Sequence, residues 1–423
     1  MRGSQAVAMS LLRAADTYYT VPGYPVTCLA GLIGAETVVN EKVALEFALG
    51  DSLSGKRSAV VVKNVGLNAC ADPLVNATTQ GLRGGVVVVA GDDVDVRGSQ
   101  NAEDSRYYGE LAQVPVLEPD ADTCQQAVEE AFRASERFSR IAILRLTPAL
   151  LDAEVSEGLL DRRDAPGSLA DRDLTMPGRV AEADRLLPQM FEWSKTSPLN
   201  RFVGEPVGVG AAPGRSHVVT VYPPAGSPEA LSETNEYGRP FVREHRLVEP
   251  PKVSATPERF GNRGYYRTFC PSCPFKAAVE ILKEKGIPAI CDMGCAVYAM
   301  NPPYRVGLAT YGLGSSVAVA ARSTQVALSG DFALLHSGVN ALIDVAEKRL
   351  PLLCIVFANK KMGMVGEEAC FDVEKYIGWA RPVIIPAGDV ETLRSLIRVP
   401  DSLTVLVIAG ECPVGETHET VEC

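Results

Sequence analysis

The stretch RTFCPSCPFKAAVEILKEKGIPAICDMGC, residues 267–295, sets Cys270, Cys273, Cys291 and Cys295 close together, and Cys412 follows far downstream in GECPVG. Four thiolates suit either zinc or an iron–sulfur cluster, and softness alone does not separate the two. Zinc has no redox capacity, whereas a cluster takes electrons singly. A second constellation lies in SGDFALLHSGVNALIDVAEKRLPLLCIVFANKKMG, where Gly330-Asp331 ends one apolar run and Asn359 ends the next. In an open parallel sheet ligands sit at the carboxyl ends of the strands. Asp331 and Asn359 are therefore expected together, on adjacent or nearby strands. A carboxylate and an amide oxygen suit Mg²⁺, a hard cation that keeps diphosphate oxygens as its remaining ligands. Gly330 lets the backbone come close, and the helix that starts beyond it favours negative charge. A third candidate is Glu41, which opens a helix whose Ala44, Ala48 and Ser52 are small and four apart. Such a face packs closely and leaves the glutamate at the helix start, facing a cleft. The plainer alternatives are an N-cap at Asp331, a turn residue at Asn359 and a first-turn acid at Glu41. For the thiols they are structural zinc or unligated core cysteines.

The elements that must position these residues follow from apolar runs. SAVVVK (58–63), GGVVVVAG (84–91) and RIAILRL (140–146) do not alternate polar with apolar, so they read as strands buried on both faces. Helices are expected over 36–53, 68–82 and 122–138. After residue 266 the alternation resumes, with strands over 287–293, 324–332, 351–359, 381–387 and 403–410 and helices over 274–285, 314–323, 335–349 and 389–398. Strand–helix repetition with short links implies an α/β fold of two doubly wound parallel-sheet domains, residues 1–150 and 266–423. Residues 151–265 are rich in Pro, Gly, Arg and Glu and read as a linker or reduced middle region with one strand over 216–223.

Bulk properties narrow the function. With 41 Lys+Arg against 52 Asp+Glu, a net charge of −11 and no basic stripe, nucleic acid is not expected as a partner. The longest apolar runs, such as LLCIVFA (352–358), are too short to span a bilayer. MRGSQAVAMSLLRAAD lacks the apolar core of a signal peptide and reads as the first helix of a cytoplasmic protein. Eleven cysteines without a secretory signal favour core thiols plus a metal or redox site over disulfides.

Asp331 and Asn359 match the thiamine-diphosphate signature, Gly-Asp followed some thirty residues later by Asn after a hydrophobic strand. TVPGYPVTCL (20–29), NEKVALEFALGDSLSGKR (40–57), KNVGLNACADPL (63–74), RGGVVVVAGDD (83–93), SQNAEDSRYY (99–108), PVLEP (115–119), SPLNR (197–201), CPSCP (270–274), DMGC (292–295), GDFALLHSG (330–338) and NKKMGMVG (359–366) follow one another in a family order. The chain resembles the α subunits of indolepyruvate:ferredoxin oxidoreductases, within the thiamine-diphosphate-dependent 2-oxoacid:acceptor oxidoreductases. The resemblance implies a pyrimidine-binding domain in 1–150 and a diphosphate-binding domain in 266–423. It implies that Glu41 activates the coenzyme's aminopyrimidine, and that Asp331, Asn359 and the main-chain carbonyl of Lys361 hold Mg²⁺. Gly312, Gly330 and Gly363 then lie beside the coenzyme, Thr27 near the substrate carboxylate, and His336 within reach of substrate or diphosphate. The same resemblance implies a [4Fe–4S] cluster on Cys270, Cys273, Cys295 and Cys412.

The implied activity is oxidative decarboxylation of an indolepyruvate-like 2-oxoacid, with electrons leaving through the cluster to ferredoxin and CoA capturing the acyl group. A second subunit and a hetero-oligomer built on a homodimer core are implied with it. Departures stand beside the resemblance: Phe332 where Ser or Gly follows Gly-Asp, Asn64 where a histidine stands, and Phe275 in place of a histidine after Pro274. The family's longer members continue into a ferredoxin-like domain, where this sequence ends at Cys423. Two other readings remain: a non-oxidative thiamine-dependent decarboxylase or carboligase, and a retired scaffold or regulatory subunit. Cys291, Cys354 and Cys370 are expected as buried small hydrophobes.

Overall fold

The computed structural model describes residues 1–93, 97–98, 103–156, 158, 161–200, 221–222, 256–365 and 368–423. These form two compact units, one from Met1–Ala170 and Arg179–Pro257, the other from Asp171–Gly178 and Glu258–Cys423.

The first unit is built on strands β1 (Thr17–Val21), β2 (Glu36–Thr37), β3 (Ser58–Lys63), β4 (Val86–Gly91), β5 (Val116–Leu117), β6 (Ala142–Leu146) and β7 (Val221–Tyr222). They pair in the order β2-β1-β3-β4-β6-β5-β7, parallel throughout except for β7, which runs antiparallel to β5. Ala59, Val61, Val87 and Val89 face a cluster built with helices Gly3–Ala14 and Cys124–Phe138. The alternate residues Val60, Val62 and Val88 turn to the other face and are equally buried, so the sheet is covered on both sides. The helix expected over 36–53 starts later. Glu36 and Thr37 pair as β2, and Asn40 caps Glu41–Leu53 by accepting from the Val43 N–H at 2.9 Å. The helix expected over 68–82 is two helices, Asn64–Ala69 and Ala71–Gln80, meeting at Cys70.

Within 151–265, Met176–Asp184 and Leu187–Thr196 are helical. Of the strand expected over 216–223, only β7 falls within the described residues, and most of the expected linker lies outside them.

The second unit contains β8 (Tyr265–Arg267), β9 (Ile290–Cys291), β10 (Val326–Gly330), β11 (Leu352–Ala358), β12 (Lys361–Met362), β13 (Glu368–Ala369), β14 (Val383–Pro386), β15 (Leu403–Ala409) and β16 (Thr420–Glu422). Five of these form a parallel sheet in the order β14-β15-β11-β10-β9. All seven residues of β11 are buried, as an unbroken apolar run at a sheet centre requires. Adjacent β10 and β11 end level, with Gly330 opposite Phe357. Asp331 and Asn359 therefore leave the sheet side by side at its carboxyl edge. Where a helix is expected over 335–349, a widened π turn at Leu334–Gly338 comes before regular helix Val339–Glu347. Such turns cluster where function demands local geometry.

Two ties lock this edge. Asp292, fully buried, accepts from the Ser316 N–H at 3.1 Å, from the Ser316 hydroxyl at 2.9 Å, and from the Ser329 hydroxyl. The carboxylate thus fastens the loop before Cys295 to the strand end before Asp331. At the other side β16 pairs antiparallel with β8, the Thr268 N–H donates to the Glu419 carbonyl at 2.9 Å, and the Ser272 N–H donates to the Glu416 carboxylate at 2.8 Å. The last residues are thereby strapped across the Cys270–Cys273 turn. Among the described residues no helix is long and apolar enough to cross a membrane.

Candidate coenzyme and thiol site

A cavity of about 530 Å³ opens in the second unit at the carboxyl edge of the sheet, within the size range of small-molecule sites. Gly330, Asp331, Asn359, Lys361 and Gly363 line it, and so do Cys270, Cys273, Cys295 and Cys412. Phe275, Phe332 and Phe357 form part of its apolar wall.

Asp331 is 2 % exposed. Its Oδ1 accepts from the Phe332 N–H at 2.8 Å and its Oδ2 from the Lys360 N–H at 2.7 Å. Burial pushes the Asp331 carboxyl above its usual range, while the main-chain donors of Lys360, Phe332 and Asn359 pull the other way. A divalent cation at this carboxylate would restore the ionised form. Asn359 Oδ1 accepts from the Lys361 N–H at 3.1 Å, leaving a second lone pair. A Cβ added at Gly330 would meet nothing within 4 Å, so open space lies beside Asp331. Two hard oxygens with room next to them fit Mg²⁺ and a diphosphate.

The four thiols are half-buried and free. Burial, then the neighbouring thiols, pushes Cys295 up to about 12 and Cys273 up to about 11, and raises Cys270. In each case the other cysteines of the four add to the effect of burial, so the group shares one electrostatic neighbourhood. A Cβ at Gly363 would lie 3.6 Å from Cys412 Sγ and 4.0 Å from Cys295 Sγ, so this glycine leaves a cradle beside two of the sulfurs. Among the described residues no group of three or more His, Cys, Asp or Glu side chains stands in a metal-holding arrangement. Four soft thiols around one space still have the donor chemistry of a cluster.

The other candidates are placed as follows. Gly312 adopts a φ of 134° in the loop before helix Ser316–Ala321, a conformation that favours glycine. His336 is exposed in the π turn, its ring 6.0 Å from that of Phe332, and is not among the cavity-lining residues. Glu41 and Thr27 belong to the first unit. Thr27 begins helix Thr27–Leu32 and is exposed. Glu41 begins its helix against Gly66, where a Cβ would stand 2.8 Å from Glu41 Cγ and Oε1. Cys291 and Cys354 are fully buried in β9 and β11. Cys370, expected in the core, is half-buried beside Asp331, and its thiol is pushed up to about 11 by burial and that carboxylate. It directly follows β13, outside the five-stranded sheet.

The cavity also holds a histidine that was not among the expected site residues. His418 Nε2 lies 3.4 Å from Cys295 Sγ, and its ring packs 4.7 Å from that of Tyr298. Its spacing after Cys412 in CPVGETH was the available signal, but only the strap that pairs β16 with β8 turns it back onto Cys295. Phe275 is buried and stacks on Phe357 at 4.8 Å, so the residue that departs from the family pattern completes the wall.

Residues 291–378 match the family described as thiamine pyrophosphate enzyme, C-terminal TPP binding domain. The indolepyruvate oxidoreductase subunit IorA of Archaeoglobus fulgidus is 26% identical over 86% of this chain and 75% of its own length. That of Methanothermobacter thermautotrophicus is 27% identical over 82% of this chain and 72% of its own. The Thermococcus kodakarensis subunit is 36% identical, over 34% of this chain and 24% of its own. Among solved structures, the thiamine diphosphate-dependent 4-hydroxybenzoylformate decarboxylase of Rhodococcus jostii RHA1 superposes with a TM-score of 0.58 at 17% identity, covering 97% of this chain and 99% of that one. Benzoylformate decarboxylase from Polynucleobacter necessarius gives 0.60 at 14% identity, covering 96% and 98%. The chain thus has the fold of thiamine-diphosphate enzymes and, along most of its length, is similar to the IorA subunits of indolepyruvate oxidoreductases.

Proposed function

We propose that this chain is the thiamine-diphosphate-dependent subunit of a cytoplasmic 2-oxoacid oxidoreductase, with an indolepyruvate-like arylpyruvate as substrate, ferredoxin as electron acceptor and CoA as acyl acceptor. The observation that carries the reading is the meeting of two donor sets on one cavity: the oxygens of Asp331 and Asn359, and the thiols of Cys270, Cys273, Cys295 and Cys412. When bound, thiamine diphosphate supplies the nucleophilic carbon that decarboxylates 2-oxoacids, and a [4Fe–4S] cluster supplies a one-electron acceptor. Asp331, Asn359 and the Lys361 carbonyl would hold Mg²⁺ and with it the diphosphate, with Gly312, Gly330 and Gly363 leaving room for it. Glu41, held at its helix start by the capped turn, would bind the coenzyme's pyrimidine and hold a proton there. Thr27 would take the substrate carboxylate, and His336 would touch substrate or diphosphate. Phe275, Phe332 and Phe357 keep water from the wall of the cavity. The pyrimidine-binding domain is 1–150 and the diphosphate-binding domain 266–423, with 151–265 joining them. A second subunit completes the complex, and the assembly is a hetero-oligomer on a homodimer core.

The test is anaerobic purification of the complex, followed by iron and sulfide analysis and an assay of ferredoxin reduction with indolepyruvate, CoA, Mg²⁺ and thiamine diphosphate. Brown protein with about four irons per chain at these thiols and coenzyme-dependent reduction is the expected result. Aldehyde release without acceptor reduction, from colourless protein, would overturn it in favour of a non-oxidative enzyme.

A further inference from the structure

Asn359 faces both donor sets at once. Its Oδ1 accepts from the Lys361 N–H at 3.1 Å, and its Nδ2 donates to Cys412 Sγ at 3.0 Å. The two ends of the amide are told apart by this network, because only oxygen accepts from a main-chain N–H. Gly363 leaves the contact open: a Cβ there would sit 3.6 Å from both Asn359 Nδ2 and Cys412 Sγ. The amide is held at both ends, in the loop that leaves β11.

We propose that Asn359 is a positioning residue that couples the occupancy of the coenzyme's metal to the reduction potential of the thiolate cluster. The inference rests on the function proposed above and adds a thermodynamic link between its two halves. A cation bound to the free lone pair of Oδ1 draws electron density through the planar amide and makes the Nδ2 hydrogens better donors. The N–H···S bond to Cys412 strengthens, and hydrogen bonds to cluster sulfurs set the potential. The one-electron reduction of [4Fe–4S]²⁺ to [4Fe–4S]⁺ adds negative charge that the sulfurs share, so the stronger donor favours the reduced state. The loaded coenzyme itself is close to neutral, since Mg²⁺ and the thiazolium offset the diphosphate, which leaves the amide as the main route of the effect. Coupling is reciprocal: if the coenzyme raises the potential, reduction tightens coenzyme binding by the same factor. Metal loading would then make electron acceptance easier only when the coenzyme is in place.

The experiment titrates the cluster potential of the anaerobic complex by EPR, with and without thiamine diphosphate and Mg²⁺, and measures coenzyme affinity for the oxidised and dithionite-reduced forms. Wild-type protein is expected to bind the coenzyme about fivefold more tightly when reduced, within the usual range of coupling. For a one-electron couple that converts to an upward shift of about 41 mV at 59 mV per tenfold. Asn359→Asp keeps an oxygen for the cation and removes the donor, so coenzyme affinity should change in both redox forms while the ratio of reduced to oxidised affinity falls from about fivefold to about one. Equal affinities in the wild-type redox pair, or a shift that persists in Asn359→Asp, overturns the proposal. Should the variant fail to fold, the wild-type pair decides alone. Protein devoid of iron and sulfide overturns the functional reading itself, and this link with it.

Discussion

Gly66→Ala offers a way to move the Glu41 carboxylate without touching it. A Cβ at position 66 would stand 2.8 Å from Glu41 Cγ and Oε1 and 3.1 Å from Cδ. Carbon contacts settle at about 3.5–4.0 Å, so the glutamate must retreat by roughly 1 Å, against the helix start that Asn40 caps. A misplacement of that size at a reacting group costs about 10²-fold in rate. Backbone preference runs the other way: Gly66 lies inside helix Asn64–Ala69, where alanine is favoured by about 1 kcal/mol. The variant should therefore keep its melting temperature while exchange of the coenzyme's C2 proton for deuterium, followed by NMR, slows by about two orders of magnitude. Unchanged exchange at full coenzyme occupancy would refute the placement of Glu41, and so would a rate that falls only in step with stability.

Other outcomes test the scaffold and the thiols. Arg57 is 1 % exposed, with its guanidinium 2.7 Å from Glu136 and 3.0 Å from Glu129. Arg57→Met strands two buried carboxylates and should cost about 3–5 kcal/mol in urea unfolding. Burial alone would raise the Asp104 carboxyl, but the guanidinium groups of Arg106 and Arg145 outweigh it and hold it well below the usual range. A carboxylate depressed in the folded state adds stability that is complete above its unfolded value of about 3.9 and is lost as pH falls below it. Urea melts in that acid window should show Asp104→Asn losing less stability than the wild type as pH drops. Cys273→Ser in the anaerobic complex should lose more than half its iron and sulfide yet bind thiamine diphosphate within threefold of the wild type, measured by metal analysis and calorimetry. Full iron content would remove Cys273 from the ligand set.

What could be read from the sequence followed from how local the signal was. The buried runs SAVVVK, VVVVAG and LLCIVFA announced a parallel sheet because nothing else keeps β-branched stretches apolar on both faces. The neighbouring positions of Asp331 and Asn359 followed from those runs, since residues just past parallel strand ends share an edge. His418 was invisible because its place depends on β16 pairing with β8 across more than a hundred residues. Asp292 read only as part of a Cys context, although its buried carboxylate joins three elements of the edge. The split at Cys70 had a signal that went unused: Pro73 stands in the first turn of the second helix, where a proline is tolerated, and so marks a helix start. His336 had the right local neighbours, but the π turn leaves its ring exposed.

The central claim is that a magnesium-held diphosphate rests on Asp331 and Asn359 beside the thiol cavity. Calorimetry of thiamine diphosphate binding, with and without Mg²⁺, to the wild type and to Asp331→Ala tests it most directly. Magnesium-dependent binding that weakens at least a hundredfold in the variant is expected, about 2.8 kcal/mol at 1.4 kcal/mol per tenfold. Binding that ignores the metal, or that survives the loss of the Asp331 carboxylate, would contradict it.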